Sequence, residues 1–199
     1  MHLLVTKPGA YQAEEGITHL AQTPADLVIL STADTHLALL AETADKLPRT
    51  FPSVRLANPL HLQSHASVDL YVDEVLRHAK VIVVALLGGT SYWRYGIDQI
   101  VLLGERGVKI IVVPGDDQPD PGLTRLSTAP EDVVLRVWRY LRYGGADNAR
   151  SLFYFLAHCF FEDVQFFKNS DYIKKIDSVD NAGKADQTNY WLEPQPLPK

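Results

Sequence analysis

The chain is predicted to be an α/β protein with a doubly wound, mainly parallel sheet of five strands, followed by C-terminal helices and a Pro-rich linker. Two observations carry this expectation. Short runs rich in Val, Ile and Leu alternate with amphipathic stretches, as happens when crossover helices cover both faces of a parallel sheet. Each run is also bounded by Pro, Gly, Asp or Ser. With 199 residues, 46% of them hydrophobic and 22% charged, the chain has the composition of a globular protein with a real core. The arrangement is flavodoxin- or Rossmann-like.

The first strand is expected at Leu3 to Thr6. The sequence from Met1 to Gly9 lacks the basic start and long apolar middle of a signal peptide, so the cytoplasm is the expected compartment. Further strands are expected at Leu27 to Ser31, Val54 to Ala57, Val81 to Leu87 and Lys109 to Val113. Between them, Asp34 to Lys46 places Leu37, Leu40, Ala41 and Ala44 at helical spacing, with Asp34 as cap and Pro48 as stop. Ser67 to His78 repeats the design with Ser67 as N-cap, and Tyr92 to Arg106 follows the fourth strand, closed by Gly104 and Gly107.

After Val113 the strict alternation ends. Pro114 to Gly122 is dense in turn formers and reads as a rigid loop. Glu131 to Tyr143 and Ala146 to Phe161 are expected helices separated by Gly144-Gly145, and no period survives from Phe166 onward. Glu193 to Pro198 reads as an extended connector, so the chain is expected to be the first part of a longer protein. The expected domains are a parallel α/β unit over 1–145, a helical extension over 146–165, and an irregular segment and linker over 166–199.

Charge and composition exclude several classes. The formal net charge is -5 and no basic run is present, which argues against a nucleic-acid partner. Val81 to Leu87, the longest apolar stretch, is far shorter than the roughly 20 residues of a membrane span. The single cysteine, Cys159, permits neither an intrachain disulfide nor a cysteine cluster for metal, and reads as a small buried apolar residue.

The most informative stretch runs from Val81 to Gln99, where a buried strand ends in Leu87-Gly88-Gly89-Thr90-Ser91 and a helix begins. In open parallel sheets ligands sit beyond the carboxyl ends of the strands, and Gly88 and Gly89 would allow close approach. The stretch matches neither the dinucleotide fingerprint nor the phosphate loop, so a plain strand-to-helix turn stays open as the alternative. Trp93, Arg94 and Tyr95 suit a flat, carboxylated macrocycle, because arginine pairs with carboxylates and aromatic faces stack; packing of Trp93 against a neighbouring domain is the other reading.

Candidate metal ligands are few. His61 and His65 are four residues apart, a transition-metal geometry if both lie on one helix, although Asn58-Pro59-Leu60 and Ser64 suggest a loop. Asp116, Asp117 and Asp120 gather oxygens suited to a divalent cation, yet Asx turns between prolines explain them more simply. Ser31 to Thr35 offers hydroxyls at a helix start, for an anion or for capping.

Taken together, several segments resemble the amino-terminal region of the large subunit of aerobic, ATP-dependent cobaltochelatase, a relative of the porphyrin-binding subunit of magnesium chelatase. They are Met1 to Leu4, Gln22 to Ser31, Ala33 to Thr35, Arg55 to Asn58, Ser67 to Val72, Leu86 to Gly89 with Tyr92-Trp93, Tyr95-Gly96, Pro114 to Asp117 with Pro119 to Pro121, and Leu126 to Thr128. The match fades from Cys159 to Asn189 and returns at Trp191 to Pro198.

The resemblance implies insertion of Co2+, as substrate, into hydrogenobyrinic acid a,c-diamide during cobalamin biosynthesis. ATP and Mg2+ would act on separate motor subunits, and the implied enzyme class is a ligase forming nitrogen-metal bonds. Implied partners are the remaining domains of the large subunit, the motor subunits and the corrinoid. No complete active site, catalytic residue or resident cofactor is expected within this chain. A stand-alone ligand-binding or scaffold domain derived from that subunit is the alternative.

Overall fold

The structure, a computed structural model, describes residues 16–161 and 193–196. Its framework is a parallel sheet of strands β1 (Leu27–Ser31), β2 (Val54–Ala57), β3 (Val81–Leu86) and β4 (Lys109–Pro114), in the order β2-β1-β3-β4. The sheet thus has four strands among the described residues rather than five; the expected strand at Leu3 to Thr6 lies outside them. Helices α1 (Asp34–Ala44), α2 (His65–Glu74) and α3 (Arg94–Glu105) make the crossovers. The short α4 (Pro121–Thr124) and the longer α5 (Glu131–Tyr143) and α6 (Ala146–Phe160) follow the last strand.

The edge strand β2 is half-buried and carries Arg55, whereas both faces of β1 and β3 are buried and these strands read as apolar runs. Their side chains nevertheless alternate with period two. Leu27, Ile29, Val81, Val83, Ala85, Ile111 and Val113 enter one core with Leu40 of α1 and the apolar faces of α5 and α6. Val28, Leu30, Ile82, Val84, Leu86, Ile110 and Val112 enter the other, with Val68 and Tyr71 of α2 and Trp93, Ile97, Ile100 and Leu103 from the start and body of α3. Leu152 and Phe153 of α6 are fully buried in the first core beside Ile29. Residues of α5 and α6, on either side of Gly145, share this core.

Three helix starts differ from expectation. Ser64, not Ser67, caps α2: its Oγ accepts the Ser67 N–H at 3.1 Å, while Ser67 is buried inside the first turn. The N-cap of α1 is Ala33, which has no capping side chain, and Asp34 is the first helical residue. The Asp34 carboxylate instead accepts a hydrogen bond from Asn58 Nδ2 at 2.8 Å. The expected helix at Tyr92 to Arg106 begins as a 3-10 turn over Thr90–Trp93.

Candidate functional site

Chain order sends β2 to one side of β1 and β3 to the other, which places the topological switch point outside the carboxyl ends of β1 and β3. The loops gathered there are Thr32–Ala33, the turn after β2 beginning at Asn58, Leu87–Gly89, and the segment after β4. Thr32 laces the switch point. Its N–H donates to the Ala85 carbonyl at 3.2 Å, and its Oγ1 accepts the Leu87 N–H at 2.9 Å. The first amide beyond β3 is thus directed into the fold rather than toward solvent.

Beyond Leu87 the backbone turns through Gly88 and Gly89, with φ of 82° and 77°. Side chains other than glycine rarely adopt this region, and Gly89 combines it with ψ of -171°, a conformation almost confined to glycine. The turn lifts Leu87, Thr90, Ser91, Tyr92 and Arg94 to the surface, and Tyr92 is 49% exposed. Beside this ridge lies an open groove of about 540 Å³ lined by Thr90, Ser91, Arg94, Asp98, Leu102 and Leu126 among others. Arg94 borders both ridge and groove, so the site offers an exposed guanidinium, with the exposed carboxylate of Asp98 in the same groove, among apolar and hydroxyl surfaces.

Trp93 does not belong to that surface. It is 5% exposed, and its Nε1–H donates to the Leu62 carbonyl at 2.8 Å. Its indole lies against Gly96, where an added Cβ would fall 2.1 Å from Cε2. Neither stacking on an external macrocycle nor packing on a neighbouring domain fits this position; Trp93 is a core residue that braces the ridge from beneath. Tyr95 turns toward α2. Its hydroxyl donates to Asp69 Oδ1 at 2.6 Å and its ring stacks on His65 with centroids 3.9 Å apart. The bond to Asp69, helped by burial and by the carboxylate charge, raises the Tyr95 pKa.

The structure does not bring the other candidates together as a site. His61 ends a 3-10 turn over Pro59–His61, whereas His65 begins α2, so the two do not share a helix face. Asp116 Oδ1 accepts the Gln118 N–H at 3.1 Å, and Asp117 Oδ1 accepts from Gln118 Nε2 at 3.2 Å. Asp120 caps α4 through the N–H groups of Gly122 and Leu123. Among the described residues, no three His, Cys, Asp or Glu side chains converge as metal ligands. Ser31 Oγ accepts the Ala33 N–H at 3.2 Å and approaches His36 Nδ1 at 3.4 Å, which makes the Ser31 hydroxyl part of the fold rather than an open anion site. Burial lowers the pKa of His36. Cys159 is half-buried, and burial pushes its thiol up to about 11, the condition of an inert packing residue.

Sequence reasoning missed Tyr92, Leu87 and Leu102 as exposed apolar groups and Thr32 as the lace of the switch point. For Tyr92 the signal was present: Trp93-x-x-Gly96 spacing lets an indole lie over the next turn, which turns the adjacent Tyr92 outward. Among the described residues no helix is long and apolar enough to cross a membrane.

Comparison with known proteins then supplies kinship. The chain is 59% identical over 157 residues to the aerobic cobaltochelatase subunit CobN of Pseudomonas aeruginosa, covering 79% of this chain and 13% of that protein. It is 42% identical over 150 residues to the aerobic cobaltochelatase subunit CobN of Sinorhizobium sp, covering 75% of this chain and 12% of that protein. Among solved structures it is similar to the catalytic subunit of cobaltochelatase from Mycobacterium tuberculosis, with a TM-score of 0.57 and 27% identity over 86% of this chain and 11% of the other. No protein-family model matches the chain. The chain is a relative of cobaltochelatase subunits over about three quarters of its length and spans a small part of each.

Proposed function

We propose that this relative of the CobN cobaltochelatase subunits acts as one domain of such a subunit, in cobalt insertion during cobalamin biosynthesis. The observation that carries the reading is 59% identity over 157 residues to a CobN subunit, with the same kinship at 42% in a second organism. Identity at that level over most of the chain supports a shared role and not only a shared fold.

Within that role, the ridge and groove at the carboxyl edge form one wall of the cleft that receives the corrin precursor, hydrogenobyrinic acid a,c-diamide. Two features support this. Tyr92 and Leu102 expose apolar surface suited to the flat body of a macrocycle, and the Arg94 guanidinium suits its carboxylate and amide periphery. Gly88 and Gly89 keep the turn free of side chains where a broad ligand would approach. Trp93 and Tyr95 support the wall from within. Co2+ is the substrate metal, and no catalytic residue is assigned to this chain. ATP and Mg2+ act on separate motor subunits, which with the rest of the large subunit are the proposed partners. The complex works in the cytoplasm as a ligase forming nitrogen-metal bonds, and this chain alone is inactive.

The test uses the full-length subunit reconstituted with its motor subunits, following cobalt insertion by the absorbance change of the corrin. Tyr92→Ala with Arg94→Ala is expected to raise the KM for the corrin precursor about tenfold, the loss of about 1.4 kcal/mol of binding, with kcat little changed. An unchanged KM contradicts the wall.

A further inference from the structure

Residues 193–196 lie against the start of α6, and the contact has an unusual form. Asn148, only 5% exposed, donates from Nδ2 to the Gln195 carbonyl at 2.7 Å and accepts the Gln195 N–H on Oδ1 at 3.0 Å. One side-chain amide thus pairs with both backbone groups of one residue, as a neighbouring strand would. The second Nδ2 hydrogen donates to the Gly144 carbonyl at 2.7 Å, which fixes which way the amide faces. Alongside, Arg136 of α5 pairs with Glu193 at 3.1 Å.

The sequence of the docked segment explains why only one register fits. In Glu193-Pro194-Gln195-Pro196, the prolines have no N–H, so a shift by one residue would set a proline nitrogen against Asn148 Oδ1 and leave that buried oxygen without a donor. The fixed φ of the two prolines also lowers the entropy lost when the segment is held. The Gln195 side chain takes no part, since its Nε2 turns back to the Glu193 carbonyl at 3.1 Å.

We propose that Asn148 and Arg136 form a docking site for extended segments of the type acidic-Pro-X-Pro. It reads backbone and register rather than the identity of X, and residues 193–196 of this chain are its occupant. What the sequence presents as a free connector is thereby clamped to the α5–α6 layer at one point.

The test is NMR on the intact chain. In the parent protein the Gln195 amide exchanges at least about tenfold more slowly than an unstructured amide, and the Asn148 side-chain amide is protected too. Gln195→Ala keeps both signatures. Gln195→Pro, which touches no helix, removes the one N–H and is expected to release to fast exchange the Asn148 Nδ2 hydrogen that faces residue 195, while the one held by Gly144 and the backbone resonances of α5 and α6 stay in place. Asn148→Ala, which removes both the acceptor oxygen and the donors, frees the Gln195 amide. Unprotected Gln195 in the parent, loss of protection in Gln195→Ala, or retained protection of that Asn148 hydrogen in Gln195→Pro would each overturn the proposal.

Discussion

The two ends of the sheet are tied in different ways. At the amino edge the backbone does most of the work. The Leu27 N–H donates to the Ser53 carbonyl, the Lys80 and Val81 N–H groups converge on the Asp26 carbonyl, and the Lys109 N–H donates to the Lys80 carbonyl. Asp26 adds its carboxylate, which accepts from the Ser53 N–H and hydroxyl at 3.2 and 2.7 Å and faces Lys80 Nζ at 3.2 Å. At the carboxyl edge the backbone bonds of Thr32 to Ala85 and of Gly115 to Leu86 are joined by buried side-chain ties, Thr32 to Leu87 and Trp93 to Leu62, and above them the loops carry exposed groups such as Tyr92 and Arg94. A loop held from below by side chains leaves its upper surface free to vary with the ligand, whereas a backbone-laced edge serves stability.

Breaking the brace at the carboxyl edge has the largest expected effect. Gly96→Ala places a methyl 2.1 Å from the Trp93 indole, so the ring must leave its seat and its bond to Leu62. A loss of about 3 kcal/mol is expected in urea denaturation. Thr32→Val comes next, leaving the Leu87 N–H without its acceptor at the switch point, at a cost of about 2 kcal/mol.

Asp26→Asn at the amino edge is the mildest, about 0.5 kcal/mol, since the carboxylate is partly exposed. Its signature is a pH dependence. Burial alone would raise the Asp26 pKa, but the Ser53 hydroxyl and Lys80, with the Ser53 N–H, outweigh it and hold the carboxyl below its ordinary 3.8. A carboxyl lowered by folding adds stability above pH 3.8 that is lost as pH falls through the folded value. Asp26→Asn is therefore expected to flatten the acid limb of the stability curve below about pH 4, whereas Thr32→Val shifts the whole curve without changing its shape.

These contrasts also mark how far the sequence could be read. Leu27–Ser31 was legible to the residue because burial on both faces leaves an apolar run that no loop would show, while the half-buried Val54–Ala57, interrupted by Arg55, was legible from its short Val and Leu run after Pro52-Ser53. Helix starts were less so. Ser64 and Ser67 are equally good caps by residue type, and only the fold decides which hydroxyl meets a free N–H. The candidate site was legible as a place, the Gly88-Gly89 turn, but not as a surface, since the burial of Trp93 depends on Leu62, a residue 31 positions away. The pairing of Asn148 with Gln195, across 47 positions, leaves no periodic trace at all.

The proposed wall turns the carboxyl edge, and not the amino edge, toward the corrin precursor. The direct measurement is a fluorescence titration of the full-length subunit with hydrogenobyrinic acid a,c-diamide, comparing Arg94→Ala with Lys80→Ala, two exposed cations on opposite edges. Arg94→Ala is expected to weaken binding about tenfold while Lys80→Ala leaves it unchanged. Equal affinities for the two variants, or a loss confined to Lys80→Ala, would contradict that orientation.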